Sequence, residues 1–256
     1  ASTTLERFRL DKKVALVVGG SRGLGQAMAL ALSSAGAGVC VVARSAQDLQ
    51  KTVEAISKMG KVGKYIVADV SREEKVEKMV EQVMKLFGRI DILVNSQGAV
   101  HLQPSIDFDA AAWQRVMDVN LKSVFLSCKH VGRIMLNQGK GKIINISSVR
   151  GFQGRAEDMA YAPSKGGVNQ LTRSLAIEWG SKGINVNAIA PVFTLTPMSA
   201  SILHDPVKKE WVLSRIPMKR LSQLDDLFGP VVFLASEASN FVNGHILAVD
   251  GGWLAA

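Results

Sequence analysis

The sequence predicts an α/β fold in which a parallel β-sheet is covered by helices on both faces. Three observations carry that prediction. Short apolar runs rich in Val and Ile alternate with longer segments of helical period along the chain. The runs lack polar alternation, the pattern of strands buried on both faces. Glycines and chemistry-bearing side chains gather just behind the runs, where open α/β sheets place their ligands.

The elements follow in order. KVALVV reads as the first strand, with a helix from about Leu24 to Ala35 behind it. GVCVVA is the second, followed by a helix near Ala46 to Lys58. GKYIVAD is the third and leads to a charged helix over Ser71 to Phe87. DILVNS is the fourth, before a long helical region from about Asp109 to Asn137. KIINIS is the fifth, followed by a helix around Ala160 to Trp179. INVNAIAP is the sixth; helical stretches near Pro206 to Ser214 and from Asp225 to Ala235 then lead to the seventh, HILAVD. No linker, repeat or low-complexity segment intervenes, so residues 1–256 read as a single domain. The architecture is a doubly wound, Rossmann-type parallel sheet of about seven strands.

Composition narrows the function. A hydrophobic content of 47% supports one large core. The net charge of +9 is scattered among acids, as in SREEKVEKMVEQVMK, which argues for a solvated surface and against a nucleic-acid partner. The excess still favours anionic ligands. No apolar run approaches the ~18 residues of a membrane span, and ASTTLERFRLDKK has no secretory apolar stretch. A soluble, cytoplasmic protein without a membrane partner is expected. Cys40 and Cys128 sit in apolar runs without metal-ligand spacing, so they read as buried free thiols, and no metal site is expected.

Behind the first strand, VGGSRGLG places Gly19, Gly23 and Gly25 in a tight turn that opens a helix. Such a turn lets backbone N–H groups and the positive helix end approach a pyrophosphate. The second strand ends in VVARS, where a site for an unphosphorylated ribose wants a carboxylate. Ala43 and Arg44 stand there instead, and Arg44 with Arg22 suits a 2′-phosphate. NADP(H) is therefore expected over NAD(H).

Behind the fifth strand, Ser148 precedes Tyr161, and Lys165 follows one helical turn later. A hydroxyl and a phenol converging on a carbonyl oxygen supply the hydrogen bond and the proton that hydride transfer to that carbon requires. Free Tyr titrates near pH ~10. A cation about 4 Å away, at an effective dielectric of about 20, is worth about 4 kcal/mol and brings the phenol down toward neutrality. Lys165 is expected to act so, and to hold the nicotinamide ribose.

These motifs resemble the short-chain dehydrogenase/reductase family over essentially the whole chain. The resemblance is carried by VGGSRGLG, the Asp69 of ADV, the NSQG turn, the VN of VMDVN, Ser148, YAPSK, APVFTLT and the final VDGG. It implies that Asn120 supports a proton relay through a water in a helix distortion, Ser148 binds the carbonyl, Tyr161 is the acid/base, and Lys165 binds ribose. It also implies adenine contacts from Asp69 and Val70, support of the central strand by Asn95, and a nicotinamide border of Pro191, Thr194 and Thr196. Ser21, Leu24, Ser45 and Gly98 complete the cofactor set, and a homotetramer is implied. Three departures stand out. Val18 replaces a loop-tying threonine, Gln97 brings bulk beside the cofactor, and Val192 replaces a glycine.

The last third is similar to the gluconate 5-dehydrogenase branch, which favours a sugar acid or polyol-like substrate. Because that similarity lies mainly in packing elements, it reports ancestry better than substrate. The segment from Thr196 to Arg215, with Met198, Ile202, Leu203, His204, Trp211 and Leu213, is expected to cover the pocket. Arg150, Arg155 and His101 are candidates to meet a substrate carboxylate. Trp113 and Trp179 read as packing residues. The rival readings are a 3-oxoacyl thioester or general carbonyl reductase and, from another class, a non-catalytic cofactor-binding regulatory protein.

Overall fold

Runs rich in Val, Ile and Leu suit a pleat buried on both sides, and five of them, with polar residues admitted only in β4, β5 and β6, form the sheet centre. They are β1 (Val14–Val18), β2 (Gly38–Ala43), β4 (Ile92–Asn95), β5 (Gly141–Ile146) and β6 (Ile184–Pro191); β3 (Gly63–Val67) and β7 (Ile246–Val249) complete it. All neighbours pair in parallel in the order β3-β2-β1-β4-β5-β6-β7. The structure, a computed structural model, describes residues 3–196 and 199–256, and omits the side chains of residues 201 and 202.

Successive strand residues feed opposite faces. Leu16 and Val18 pack with Met79, Leu93, Val131 and Trp179, whereas Ala15 and Val17 pack with Met28, Leu32, Leu49 and Leu234. Each fully buried Val or Leu contributes about 1.5–3 kcal/mol, so the two layers fix both sheet and register. The covering helices are α1 (Gly23–Ser34), α2 (Ala46–Lys58), α3 (Glu73–Phe87), α4 (Ala110–Met117), α5 (Ser123–Gln138), α6 (Tyr161–Trp179), α7 (Ala200–Leu203), α8 (Pro206–Arg215) and α9 (Phe228–Ala235). Ser45, Asp109 and Asp205 cap α2, α4 and α8 by accepting from backbone N–H groups of the first turn.

Several sequence expectations need correction. β3 and β7 are edge strands, and Tyr65 on β3 is 41% exposed, so burial on both faces fails there. The long helical region over 109–137, by contrast, contains the distortion that the resemblance implies, a π-helical turn at Asp118–Lys122. The helix expected from Asp225 begins at Phe228, after a 3-10 turn at Leu224–Leu227. The short helix α7 was not foreseen. Met198 lies outside the described residues. Among those residues no helix is long and apolar enough to cross a membrane.

Candidate active site

Because β1 lies between β2 and β4, the chain reverses direction across the sheet between β1 and β4, and their carboxyl ends face a crevice. A groove of about 650 Å³ occupies that crevice. The glycine loop forms its floor. Gly19 has φ +79°, and a Cβ on it would lie 2.6 Å from the Gln97 nitrogen. A Cβ on Gly25 would lie 2.1 Å from the Gly19 carbonyl oxygen. Glycine is thus required at both positions.

Val18 has no hydroxyl to tie this loop, and α2 does the tying instead. Thr52 Oγ1 donates to the Gly20 carbonyl at 3.1 Å, and Gln26 Nε2 donates to Thr52 at 3.0 Å. No local pattern marks Thr52 for this role, because its partner lies 32 residues away.

Ser21, Arg22, Gly23, Leu24, Ala43, Arg44, Ser45, Asp69, Val70, Gly98 and Thr196 also line the groove. Arg22 and Arg44 are exposed and form no ion pair among the described residues. Asp69 accepts from the Ser71 N–H at 3.1 Å and hydroxyl at 2.7 Å. Burial alone would raise its carboxyl, but those bonds and the charges of Arg44 and Arg72 bring it below the usual range.

A second cavity of about 150 Å³ adjoins the groove, sharing Leu24, Gln97, Gly98 and Thr196. Ser148, Tyr161 and Lys165 converge on it, with Pro191 and Thr194 along its wall. Helix α6 starts at Tyr161, and Pro163 sits in the first turn, where its missing N–H would have had no helical partner. Asp158 Oδ1 accepts the Ala162 N–H at 3.0 Å and fixes that start. The cap position itself holds Ala160, so no side chain directly before Tyr161 marks the start.

The Ser148 oxygen accepts from the Arg150 N–H at 3.1 Å, so the hydroxyl proton is left to donate. Behind it, the Ser147 hydroxyl bonds Asn169 Oδ1 at 2.5 Å, and Asn169 Nδ2 donates to the Gly151 carbonyl at 3.1 Å. These contacts clamp the Ser148 turn to α6.

The lysine works differently from the expectation. Lys165 is 3% exposed, and its ammonium donates to the Ile146 carbonyl at 2.7 Å, 5.7 Å from the Tyr161 ring centroid. Burial pushes it down to about 8. Burial also pushes the Tyr161 phenol up; hydrogen bonding with Ser148 opposes this, Asp158 adds to it, and Arg150 opposes it. In this structure the phenol is therefore raised. The ammonium lies over the Tyr161 ring and is not among the groups that set this direction.

Asn120 lines neither cavity. Its Nδ2 donates to the Ala99 carbonyl at 2.9 Å and to Ser164 Oγ at 3.0 Å, and its Oδ1 accepts the Ala99 N–H at 2.7 Å. It joins the π-helical turn, the loop after β4 and the first turn of α6. Asn95, placed in the cofactor set, is likewise away from the groove. Its Nδ2 donates to Asn145 Oδ1 at 2.9 Å and so braces β4 against β5. Gln97 lines both cavities; its Nε2 donates to Ser123 at 2.8 Å and its buried Oε1 has no partner among the described residues. His101 reaches Gln103 at 3.1 Å and lines neither cavity, which corrects its candidacy for substrate. Trp179 is buried, but Trp113 is 38% exposed and donates to the Met159 carbonyl, so it is not simply a core residue. Cys40 and Cys128 are buried free thiols, each pushed up to about 12 by burial.

Arg150 and Arg155 both line the small cavity. Beneath Arg150 lies Trp253, which is 1% exposed, with the guanidinium 5.5 Å from the ring centroid. Trp253 Nε1 donates to Gln153 at 2.9 Å, and the ring packs with Val192, Val212 and Ile216. Val192 thus fills a hydrophobic cluster where a glycine would leave a gap. Trp211 crosses Trp253 edge-on at 5.8 Å. The 3-10 turn at Trp253–Ala255 thereby supports the cavity wall, so part of the C-terminal third, read as packing elements, packs against the site itself.

Residues 18–254 match a family model described as Enoyl-(Acyl carrier protein) reductase. A Bacillus subtilis relative named 2-dehydro-3-deoxy-D-gluconate 5-dehydrogenase is 43% identical over 251 residues, 97% of each chain. The chain belongs to the short-chain dehydrogenase/reductase family. Within that family, the crystal structure of a gluconate 5-dehydrogenase from Burkholderia cenocepacia, in complex with NADP and tartrate, is similar at a TM-score of 0.96. It is 36% identical, covering 99% of this chain and 100% of that one. Levodione reductase, another solved structure, is similar at a TM-score of 0.93 and 36% identity, covering 97% and 100%.

Proposed function

We propose that the chain is an NADP(H)-dependent oxidoreductase that interconverts a secondary alcohol and a ketone on a sugar acid. The observation that carries this reading is the convergence of Ser148, Tyr161 and Lys165 on a cavity that opens onto the glycine-floored groove. The groove fits a dinucleotide. Its floor leaves no room for a Cβ at Gly19 or Gly25, and two exposed arginines flank the ribose end. Arg22, Arg44 and Ser45 would hold the 2′-phosphate, Asp69 and Val70 the adenine, and Lys165, Pro191, Thr194 and Thr196 the nicotinamide half. When bound, NADP(H) supplies the hydride for reduction and takes it back in oxidation.

The residues do the rest. The Ser148 hydroxyl donates a hydrogen bond to the substrate oxygen, and the Tyr161 phenol gives that oxygen its proton as charge develops there. Lys165, a cation below about pH 8, keeps a positive charge over the Tyr161 ring. Asn120 positions the first turn of α6 through Ser164. The names of the Bacillus subtilis and Burkholderia cenocepacia relatives favour a gluconate-type acid. We further place the activity in one domain spanning residues 1–256, in the cytoplasm, and in a homotetramer, which light scattering tests.

Steady-state oxidation and reduction of hexonates, ketogluconates, simple ketones and acetoacetyl thioesters, each with NADP(H) and NAD(H), tests the assignment. Turnover of a sugar acid with NADP(H), reduced at least about a hundredfold by Tyr161→Phe, is expected. Turnover confined to thioesters or apolar ketones would refute the substrate class, and NADPH binding without turnover would refute the enzyme.

A further inference from the structure

A buried guanidinium keeps its charge, so every N–H that lacks an acceptor leaves its desolvation uncompensated. Arg150 is 9% exposed. Its Nη1 donates to the Gly154 carbonyl at 3.2 Å. Nε and Nη2 are buried and have no partner among the described residues. Those two nitrogens share one edge of the guanidinium, and together they form a fork that grips both oxygens of a carboxylate.

The surroundings narrow the ligand. Arg150 lines the small cavity with Ser148 and Tyr161, so what it holds belongs to the molecule whose oxygen those residues meet. Arg155 lines the same cavity, and Arg215 lies by the indole that Arg150 also meets, 5.6 Å from the Trp253 ring centroid. Asp158 lines the same cavity and accepts the Ala162 N–H; it attracts Arg150 and Arg155 through space without a hydrogen bond to either guanidinium. The wall therefore carries an excess of positive charge and one arginine with a vacant bidentate edge.

Resting on the reading of the site as an alcohol/ketone oxidoreductase, we propose that Arg150 binds the carboxylate of an open-chain hydroxy or keto acid through Nε and Nη2. It thereby sets the preference for acids over neutral polyols. The reacting carbon lies toward Ser148 and Tyr161, and the carboxylate toward Trp253. Both nitrogens are shielded from solvent in this structure, so the carboxylate pairs with them as the guanidinium turns on the Trp253 ring and brings that edge into the cavity. The indole then reports the event.

The test has a binding arm and a kinetic arm. Intrinsic tryptophan fluorescence of the NADPH-saturated enzyme, on which a hydroxy acid binds without reacting, is titrated with D-gluconate and with uncharged D-sorbitol, and Trp253→Phe assigns the signal. Reduction of 5-keto-D-gluconate and D-fructose is measured for wild type, Arg150→Gln, Arg150→Lys and Arg155→Gln. Gluconate is expected to give a saturable change that sorbitol does not. Arg150→Gln abolishes it and raises the KM for the keto acid about 30-fold or more, with kcat within about threefold. Arg150→Lys, which keeps charge without the fork, recovers only part of that loss. Arg155→Gln moves the acid-to-neutral ratio less than about threefold.

Gluconate binding that survives Arg150→Gln overturns the proposal, as does an equal loss on acid and neutral substrates. Absence of saturable gluconate binding by wild type overturns it too. Failure of the underlying activity looks different: no carbonyl compound is turned over with NADPH, whatever binds.

Discussion

A phenol can give up a proton only while it holds one, and burial around Tyr161 pushes the loss of that proton to higher pH. The neutral phenol is the donor that reduction needs, whereas oxidation needs the phenolate as acceptor. Reductive kcat/KM is therefore expected to stay flat across neutral pH. Oxidative kcat/KM should rise about tenfold per pH unit there, with the rise bending as Lys165 loses its charge near about 8. A pH-rate profile in both directions measures this, and a reductive rate that climbs with pH would contradict it. The identities of Ser148, Tyr161 and Lys165 were legible because helical spacing puts the last two on one face. The source of the phenol's perturbation was not, because it depends on burial and on Asp158 and Arg150, which spacing does not report. Arg150 was visible as a candidate, but its free edge depends on where Gly154 turns back.

Within elements, the glycine loop shows how a backbone contact becomes a functional constraint. Gly25→Ala would place a carbon 2.1 Å from the Gly19 carbonyl oxygen, and backbone is the atom that must move. The substitution is expected to weaken NADPH binding by about tenfold or more while the far-UV spectrum is kept, since α1 itself gains from alanine. Titration of NADPH fluorescence reads the affinity; unchanged binding would mean the loop yields without cost. Strand and helix positions were legible from apolar runs, whose burial on two faces demands that pattern. The edges were misread because GKYIVAD looks like a central strand until the sheet order is known, and order is a tertiary fact. The π-helical turn at Asp118–Lys122 was implied by resemblance, and no local feature of DVNLK announces it.

Across the whole molecule, the net charge of +9 favours anionic ligands in general, whereas Arg22 and Arg44 favour one phosphate in particular. Salt separates the two. Raising ionic strength from about 0.02 to about 0.3 M shortens the screening length several-fold, and should raise the KM for NADPH more than that for NADH. Arg44→Ala is expected to remove most of the difference; an equal salt effect on both cofactors would place the selectivity elsewhere. The sheet, its crevice and the cofactor side were thus legible from sequence. The substrate wall was not, because Trp253 meets Gln153 across 100 residues of chain.

That long reach separates two inheritances within one active centre. The turn holding Trp253 is locked by Asp250, whose carboxylate accepts the Gly252 and Leu254 N–H groups at 2.9 Å. Substitutions in these few positions can retune which molecules are admitted while the proton donor and the phosphate cradle stay as they are. The seat beneath Arg150 can thus be reshaped from a distant stretch of chain without a change at Ser148, Tyr161 or the glycine loop.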